Sequence, residues 1–181
     1  AIGDGLGLAT ILDDDAPPSI SVTDVAVTEG DAGTVAATFN VNLTGQSGRP
    51  ISVDYASANG TATTPADYAA ASGTLTFAPG DTTKPVTVLV NGDLIDEANE
   101  TFSVNLSNAS NASIADGLGT GTINDNDALP VLSINDATVM EGNSGTVNAT
   151  FTITLAPASG RTVTLDYAGS AEAQPTSDLN L

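Results

Sequence analysis

The sequence predicts an all-β protein made of tandem Greek-key β-sandwiches of immunoglobulin-like architecture, with seven strands per repeat. Three observations predict it. Apolar and polar residues alternate over many short segments, as at Val35, Ala37, Phe39, Val41 and Leu43, which is the period of a strand buried on one face. No segment carries the 3.6-residue period of a helix. The chain also repeats itself at an offset of 112 residues, Ile2-Gly3-Asp4-Gly5-Leu6-Gly7 returning as Ile114-Ala115-Asp116-Gly117-Leu118-Gly119. Self-similarity at a fixed spacing marks a repeat array.

The repeat sets the domain organisation. Thr10-Ile11-Leu12-Asp13-Asp14-Asp15 returns as Thr122-Ile123-Asn124-Asp125-Asn126-Asp127, and Glu29-Gly30 as Glu141-Gly142. Phe39, Leu43, Gly48-Arg49 and Asp54-Tyr55 match Phe151, Leu155, Gly160-Arg161 and Asp166-Tyr167; one residue then drops out and Asp67 pairs with Asp178. Residues 1–15 read as the last strand of a preceding repeat, 16–128 as a complete repeat, and 129–181 as the first part of a following one. A part-repeat exposes core and sheet edges unless later residues, or another copy of the chain, complete it.

Within the complete repeat the first strand spans about Ser19–Val27, and the second, Thr34–Thr44, has the clean alternation already noted. The third, Pro50–Ala58, places Ile51, Val53 and Tyr55 on one face, which leaves Asp54 outward and solvated. The fourth, Gly73–Phe77, ends at the turn residues Ala78-Pro79-Gly80. The fifth, Lys84–Asn91, turns Val86, Val88 and Val90 inward. The sixth, Thr101–Ser107, buries Phe102, Val104 and Leu106, and the seventh runs from about Leu118 to Asn124.

Composition narrows the chemistry. With 22 Asp and Glu against 3 Lys and Arg, the formal net charge is −19, so nothing in the chain neutralises a nucleic-acid backbone. Cysteine and histidine are both absent, which removes thiolate and imidazole metal sites and the commonest general base. No nucleophile–base pair or phosphate loop stands in their place, and no aromatic platform flanks the paired acids as a sugar site needs. A non-enzymatic protein is expected. No apolar run is long enough for a membrane-spanning helix.

The acids are not scattered. Four fall in the eight residues Asp93 to Glu100. In an antiparallel sandwich the loops after the first, third, fifth and seventh strands share one end. Those loops carry Glu29 and Asp31, then Asp67, then Asp93, Asp96, Glu97 and Glu100, then Asp125 and Asp127, whereas the loops at the other end contribute only Asp81. Two like charges about 4 Å apart repel by roughly 4 kcal/mol at an effective dielectric near 20. A few such pairs rival the whole stability of a domain. Something cationic is expected among them, and hard oxygen donors in loops suit calcium, which takes about six to eight oxygens in flexible geometry.

These residues resemble the Calx-beta domain family. The resemblance rests on Thr28-Glu29-Gly30, Asp54-Tyr55, Gly60-Thr61-Ala62, Ala66-Asp67-Tyr68, Gly73-Thr74-Leu75-Thr76-Phe77, Pro79-Gly80-Asp81, Asp93 with Glu97 and Glu100-Thr101-Phe102, and the closing run Thr122 to Asp127. It covers nearly the whole repeat in order and both flanking pieces. It implies β-sandwiches that bind Ca2+ at one end, as regulatory sensors in sodium–calcium exchangers and as surface or matrix repeats in bacteria. The ligands it implies are Glu29, Asp67, Asp93, Glu97, Glu100, Asp125 and Asp127 with the main-chain carbonyl of Ile95. By the repeat, Asp13, Asp14 and Asp15 belong to the preceding repeat's site, and Glu141 and Asp178 to the following one. Two departures stand out: Gly92 and Asn126 occupy positions where the exchanger pattern has acids, which implies fewer or weaker ions.

The expected function is a calcium-binding structural or adhesive repeat of a secreted or cell-surface protein, the ions stiffening each repeat junction. Asp125-Asn126-Asp127 stands directly before the next repeat, as Asp13-Asp14-Asp15 stands before Ala16-Pro17-Pro18. Arg49 is expected to face Asp13–Asp15. The expected partners are neighbouring repeats and other copies of the protein in a filament or matrix. The rival expectation is a calcium-sensing regulatory module of a membrane transporter.

Overall fold

The structure, a computed structural model, describes residues 3–12, 14–140 and 142–169. By internal contact the chain divides into Ala1–Leu94 with Ala98–Asp127, and Ile95–Glu97 with Ala128–Leu181.

Among the described residues the first unit is a two-sheet sandwich without helix. Its strands are β1 (Ser19–Val22), β2 (Val25–Thr28), β3 (Gly33–Leu43), β4 (Ile51–Asn59), β5 (Ser72–Phe77), β6 (Thr83–Gly92), β7 (Glu100–Ser110), β8 (Ser113–Asp116) and β9 (Leu118–Asn124). One sheet has the order β6-β3-β1-β8 and the other β2-β9-β7-β4-β5. The strand expected at Ser19–Val27 is thus two strands in two sheets. Thr23 and Asp24 make the switch: Thr23 exchanges hydrogen bonds with Asn40 of β3, and Asp24 Oδ1 accepts from the Thr120 amide of β9 at 2.7 Å. A further strand, β8, pairs parallel with β1.

The strands form where the alternation puts them. Ala37, Phe39, Val41 and Leu43 of β3 and Val86, Val88 and Val90 of the adjacent β6 share one buried cluster with Ile51 and Val53 of β4 in the other sheet. Its centre is aromatic: Phe102 meets Phe39 edge-on at 5.8 Å and stacks on Tyr68 at 4.7 Å. Tyr68 lies outside the named strands, in the segment between β4 and β5, and is fully buried. Its hydroxyl donates to Asn59 Oδ1 at 2.6 Å, and burial pushes the phenol above its usual range. Asp54 does face outward, where Thr74 and Asn108 donate to its two carboxylate oxygens at 2.6 and 3.0 Å.

The second unit holds β10 (Val131–Ile134) and β11 (Ile153–Ala156), paired antiparallel. Their register is that of β1 on β3 carried forward by the repeat. Ile20↔Leu43, Ser21↔Asn42 and Val22↔Val41 become Leu132↔Leu155, Ser133↔Thr154 and Ile134↔Ile153. Backbone detail repeats too: Gly30 and Gly33 have φ of 78° and 76°, and Gly142 and Gly145 have 75° and 87°. The Arg49 amide donates to Ser47 Oγ as the Arg161 amide does to Ser159 Oγ.

The strand expected in residues 1–15 does not form in residues 3–12 or 14–15.

Candidate metal centre

Sheet register brings distant acids together. β2 lies parallel to β9 with Thr28 opposite Asn124, so the next residues of each strand, Glu29 and Asp125, leave the sheet side by side. β7 runs antiparallel to β9 with Glu100 opposite Ile123, and β4 antiparallel to β7 with Asn59 opposite Phe102. The end of β4, the start of β7 and the ends of β2 and β9 therefore share one edge, as strand counting predicts.

A carboxylate group results: Glu29, Asp125 and Asp127 offer oxygens within 4.8 Å of one another. Asp67 and Glu100 belong to the same unit, and Glu97 to the other. Glu29 is buried and Asp125 and Asp127 are half-buried. At such separations each like-charged pair costs about 3 kcal/mol at an effective dielectric near 20. Among the described residues, Oδ2 of Asp127 is a buried side-chain oxygen that accepts no hydrogen bond. An all-oxygen set of this kind fits a hard divalent cation.

Asparagines hold the Glu29, Asp125 and Asp127 group in place. The Asn126 side chain accepts from the Gly30 amide at 2.9 Å and donates to Asp31 Oδ1 at 3.0 Å, which ties the turn bearing Glu29 to the segment bearing Asp125 and Asp127. Asn99 accepts from the Asp125 amide at 3.1 Å and donates to Asn124 Oδ1 at 3.2 Å. Asp67 Oδ2 accepts from the Thr63 amide and hydroxyl at 2.6 and 3.1 Å, and the buried Tyr68 anchors the segment next to it.

Other expected residues lie elsewhere. Asp93, Asp14 and Asp15 are not in this group. Ile95 is half-buried in the second unit. Asp13, Glu141 and Asp178 lie outside the described residues. Asp15 and Arg49 line one cavity of about 450 Å³ in the first unit. Asp96, one of the four acids of its loop, belongs to the second unit. There it is buried, accepts from Ser159 Oγ at 3.0 Å and pairs with Arg161 at 3.6 Å. The Gly92 departure has a steric cause: a Cβ there would lie 2.1 Å from the Gly30 carbonyl oxygen and 2.7 Å from that of Glu29.

Sequence reasoning missed Asn99, Asn126 and Tyr68 as organising residues. The signal available for Asn126 was its place between two acids, where an amide supplies the donor that a carboxylate lacks.

The fold and site define a class: an all-β sandwich of two sheets whose acidic edge gathers carboxylates from separate loops. The chain belongs to the Calx-beta domain family, whose family model matches residues 13–129; this is a non-catalytic domain. Solved structures agree in fold. A crystal structure of CBD12 from CALX1.2 is 22% identical with a TM-score of 0.56, the match covering 64% of this chain and 48% of that one. The apo form of the Calx CBD1 domain is 23% identical with a TM-score of 0.51, covering 60% of this chain and 99% of that one. The calcium binding domain CBD12 of CALX1.1 is 19% identical with a TM-score of 0.56, covering 75% and 69%. The chain thus spans about half the length of the first of these structures. No curated protein sequence matches it.

Proposed function

We propose that the chain is a calcium-binding structural repeat. Glu29, Asp125 and Asp127 would form the ligand set, with Asp67, Asp93 and Glu100 of the same unit as the further ligands that the family resemblance implies. The observation that carries the reading is the meeting of Glu29, Asp125 and Asp127 within 4.8 Å, from chain segments about a hundred residues apart. Bound calcium removes the repulsion and links the turn after β2 to the run after β9. Because that run leads directly into the next repeat, the ion stiffens the junction.

Calcium modules of this stiffening kind work outside the cell at dissociation constants of roughly 0.1–1 mM, and the protein is accordingly assigned to the extracellular medium or the cell surface. Neighbouring repeats are its partners, with a stalk, adhesin body or matrix component as the assembly. At calcium tenfold above its dissociation constant one site adds about 1.4 kcal/mol of stability, a contribution to rigidity. The absence of acids at Gly92 and Asn126 supports this over a tight sensor.

Calorimetric titration of calcium into the chain, with melting in calcium and in chelator, tests the proposal. Heat of binding and a higher melting temperature in calcium are expected, both reduced in Glu29→Gln and Asp127→Asn. No heat and no shift would overturn it. Micromolar affinity with a large change of shape would favour the transporter sensor instead.

A further inference from the structure

We infer that β5, the outermost strand of the five-stranded sheet, is an interaction edge that pairs antiparallel with β5 of a second copy of this chain. Both sides of the contact are residues from the middle of the complete repeat, and no metal takes part.

Among the described residues β5 has β4 as its one strand neighbour, and no backbone hydrogen bond from a loop reaches its other side. Its register on β4 is unbroken from Ser72 to Phe77, so no bulge turns that side away. Ser72-Gly73-Thr74-Leu75-Thr76-Phe77 holds neither a charge nor a proline. Such an edge is a template for strand addition, and folded proteins ordinarily guard against it. This fold guards its other edges. β6 carries Pro85 and Lys84, the latter paired with Asp81 at 2.8 Å, and its far end is covered where the Ala69 amide donates to the Leu89 carbonyl. β2 and β8 have four residues each, β2 bracketed by Asp24 and Glu29 and β8 ending at Asp116.

Charge and register select the occupant. With 22 acids against 3 bases, two copies repel wherever acidic surfaces meet. A contact between them needs an uncharged strip, and β5 is one. The strand also fits itself. Residues opposite one another in an antiparallel pair share a face; here Thr74 and Thr76 are exposed, Leu75 is half-buried and Phe77 buried. A two-fold axis at Leu75 keeps those faces matched and sets Thr74 opposite Thr76 and Gly73 opposite Phe77. Both pairings already occur in the sandwich: the hydroxyls of Thr38 and its partner Thr87 lie 3.5 Å apart, and Phe102 stands opposite Gly121. An axis at Thr74 also matches faces, but it opposes Gly73 to Leu75 and brings the Asp54 carboxylates of both copies into one row, since Asp54 stands opposite Thr74. The axis at Leu75 staggers them. Three strand spacings then hold them more than about 14 Å apart, beyond the Debye length of about 8 Å at physiological ionic strength. The same patch serves both copies, so the contact closes as a dimer and joins two five-stranded sheets.

Sedimentation velocity of the chain in chelator, up to about 1 mM, tests this, with disulfide trapping as a second measurement. A reversible dimer is expected, stronger as added salt screens the acids. Thr76→Glu should leave the melting temperature unchanged and weaken the dimer about tenfold, because the axis counts the change twice. Adding Thr74→Lys sets opposite charges face to face and should restore it. The chain has no cysteine of its own, and opposed Cα atoms about 4.5–5.5 Å apart are within disulfide reach. Thr74→Cys chains mixed with Thr76→Cys chains should therefore cross-link on mild oxidation, and neither variant alone should. A monomer throughout the range would overturn the inference. So would self-association that Thr76→Glu leaves unchanged, cross-linking as strong in either variant alone, or a dimer that forms only with calcium and is therefore bridged by metal.

Discussion

Asn126→Asp separates the structural role of this side chain from the charge around it. The substitution keeps shape and preserves the acceptor for the Gly30 amide at 2.9 Å, but replaces the donor to Asp31 Oδ1 by a second carboxylate oxygen at 3.0 Å. Both side chains are exposed, so a water-like dielectric applies, and two unit charges at that distance repel by about 1.4 kcal/mol. Loss of the hydrogen bond adds about 1 kcal/mol. In chelator the variant should therefore be less stable by roughly 2 kcal/mol, a fall in Tm of about 8 °C for a domain of this size. In saturating calcium the new carboxylate stands between Asp125 and Asp127 and is drawn to the ion, so at least half of the deficit should vanish. Scanning calorimetry of both proteins in both conditions measures it, with Asn126→Ala as the control whose deficit calcium leaves unchanged. Equal deficits for the Asp variant with and without calcium would refute a cation at this edge. No deficit in chelator would refute the hydrogen-bond argument.

Three further substitutions test the frame around the site. Gly92→Ala forces a Cβ against the Glu29 and Gly30 carbonyls; a loss of about 1–3 kcal/mol and weaker calcium heat are expected, and an unchanged Tm would sink the steric account. Gly121→Ala drives a Cβ to 2.4 Å from Phe102 Cζ, inside the aromatic centre, so a similar loss is expected in urea denaturation. Thr74→Val acts through pH. Hydrogen bonds from Thr74 and then Asn108 hold the Asp54 carboxyl below its ordinary value of 3.8, so Asp54 stabilises the fold above that pH, and the contribution is lost as pH falls through its lowered value. In the variant the Asp54 carboxyl should titrate closer to 3.8 by NMR, with a smaller loss of stability on acidification; an unmoved titration would exclude Thr74 as the cause.

Much of the sandwich was legible because burial imposes a period of two. Phe39, Val41 and Leu43 declare β3, Val86 to Val90 declare β6, and Phe102 to Leu106 declare β7. The break in the first strand was legible only in its phase. Even-numbered Ile20 and Val22 are buried, then odd-numbered Val25 and Val27 pack against the core; a slip of phase across polar Thr23-Asp24 marks a change of sheet. Tyr68 was hidden because a core residue on a loop leaves no periodic trace. Position in the chain could not set Asp96 apart either, because its carboxylate meets Arg161, a partner distant in sequence.

The acidic edge follows from connectivity before any ion is considered. Once β2 pairs parallel with β9, Glu29 and Asp125 must emerge together, and only the residues filling those positions decide whether the meeting is neutral or repulsive. A chain selected for stability alone would place Asn or Thr there. It does place asparagine at 99, 124 and 126, where donors and acceptors are needed for backbone and side-chain partners, and keeps carboxylates at 29, 125 and 127. The division is chemical: amides serve the frame and acids converge on one another. Closing β2 on β9 is also the longest-range pairing in the complete repeat, and such contacts carry the greatest loop-closure entropy. A cation held across Glu29, Asp125 and Asp127 therefore acts where cross-linking favours the fold most, which connects the calcium reading to rigidity more directly than to signalling.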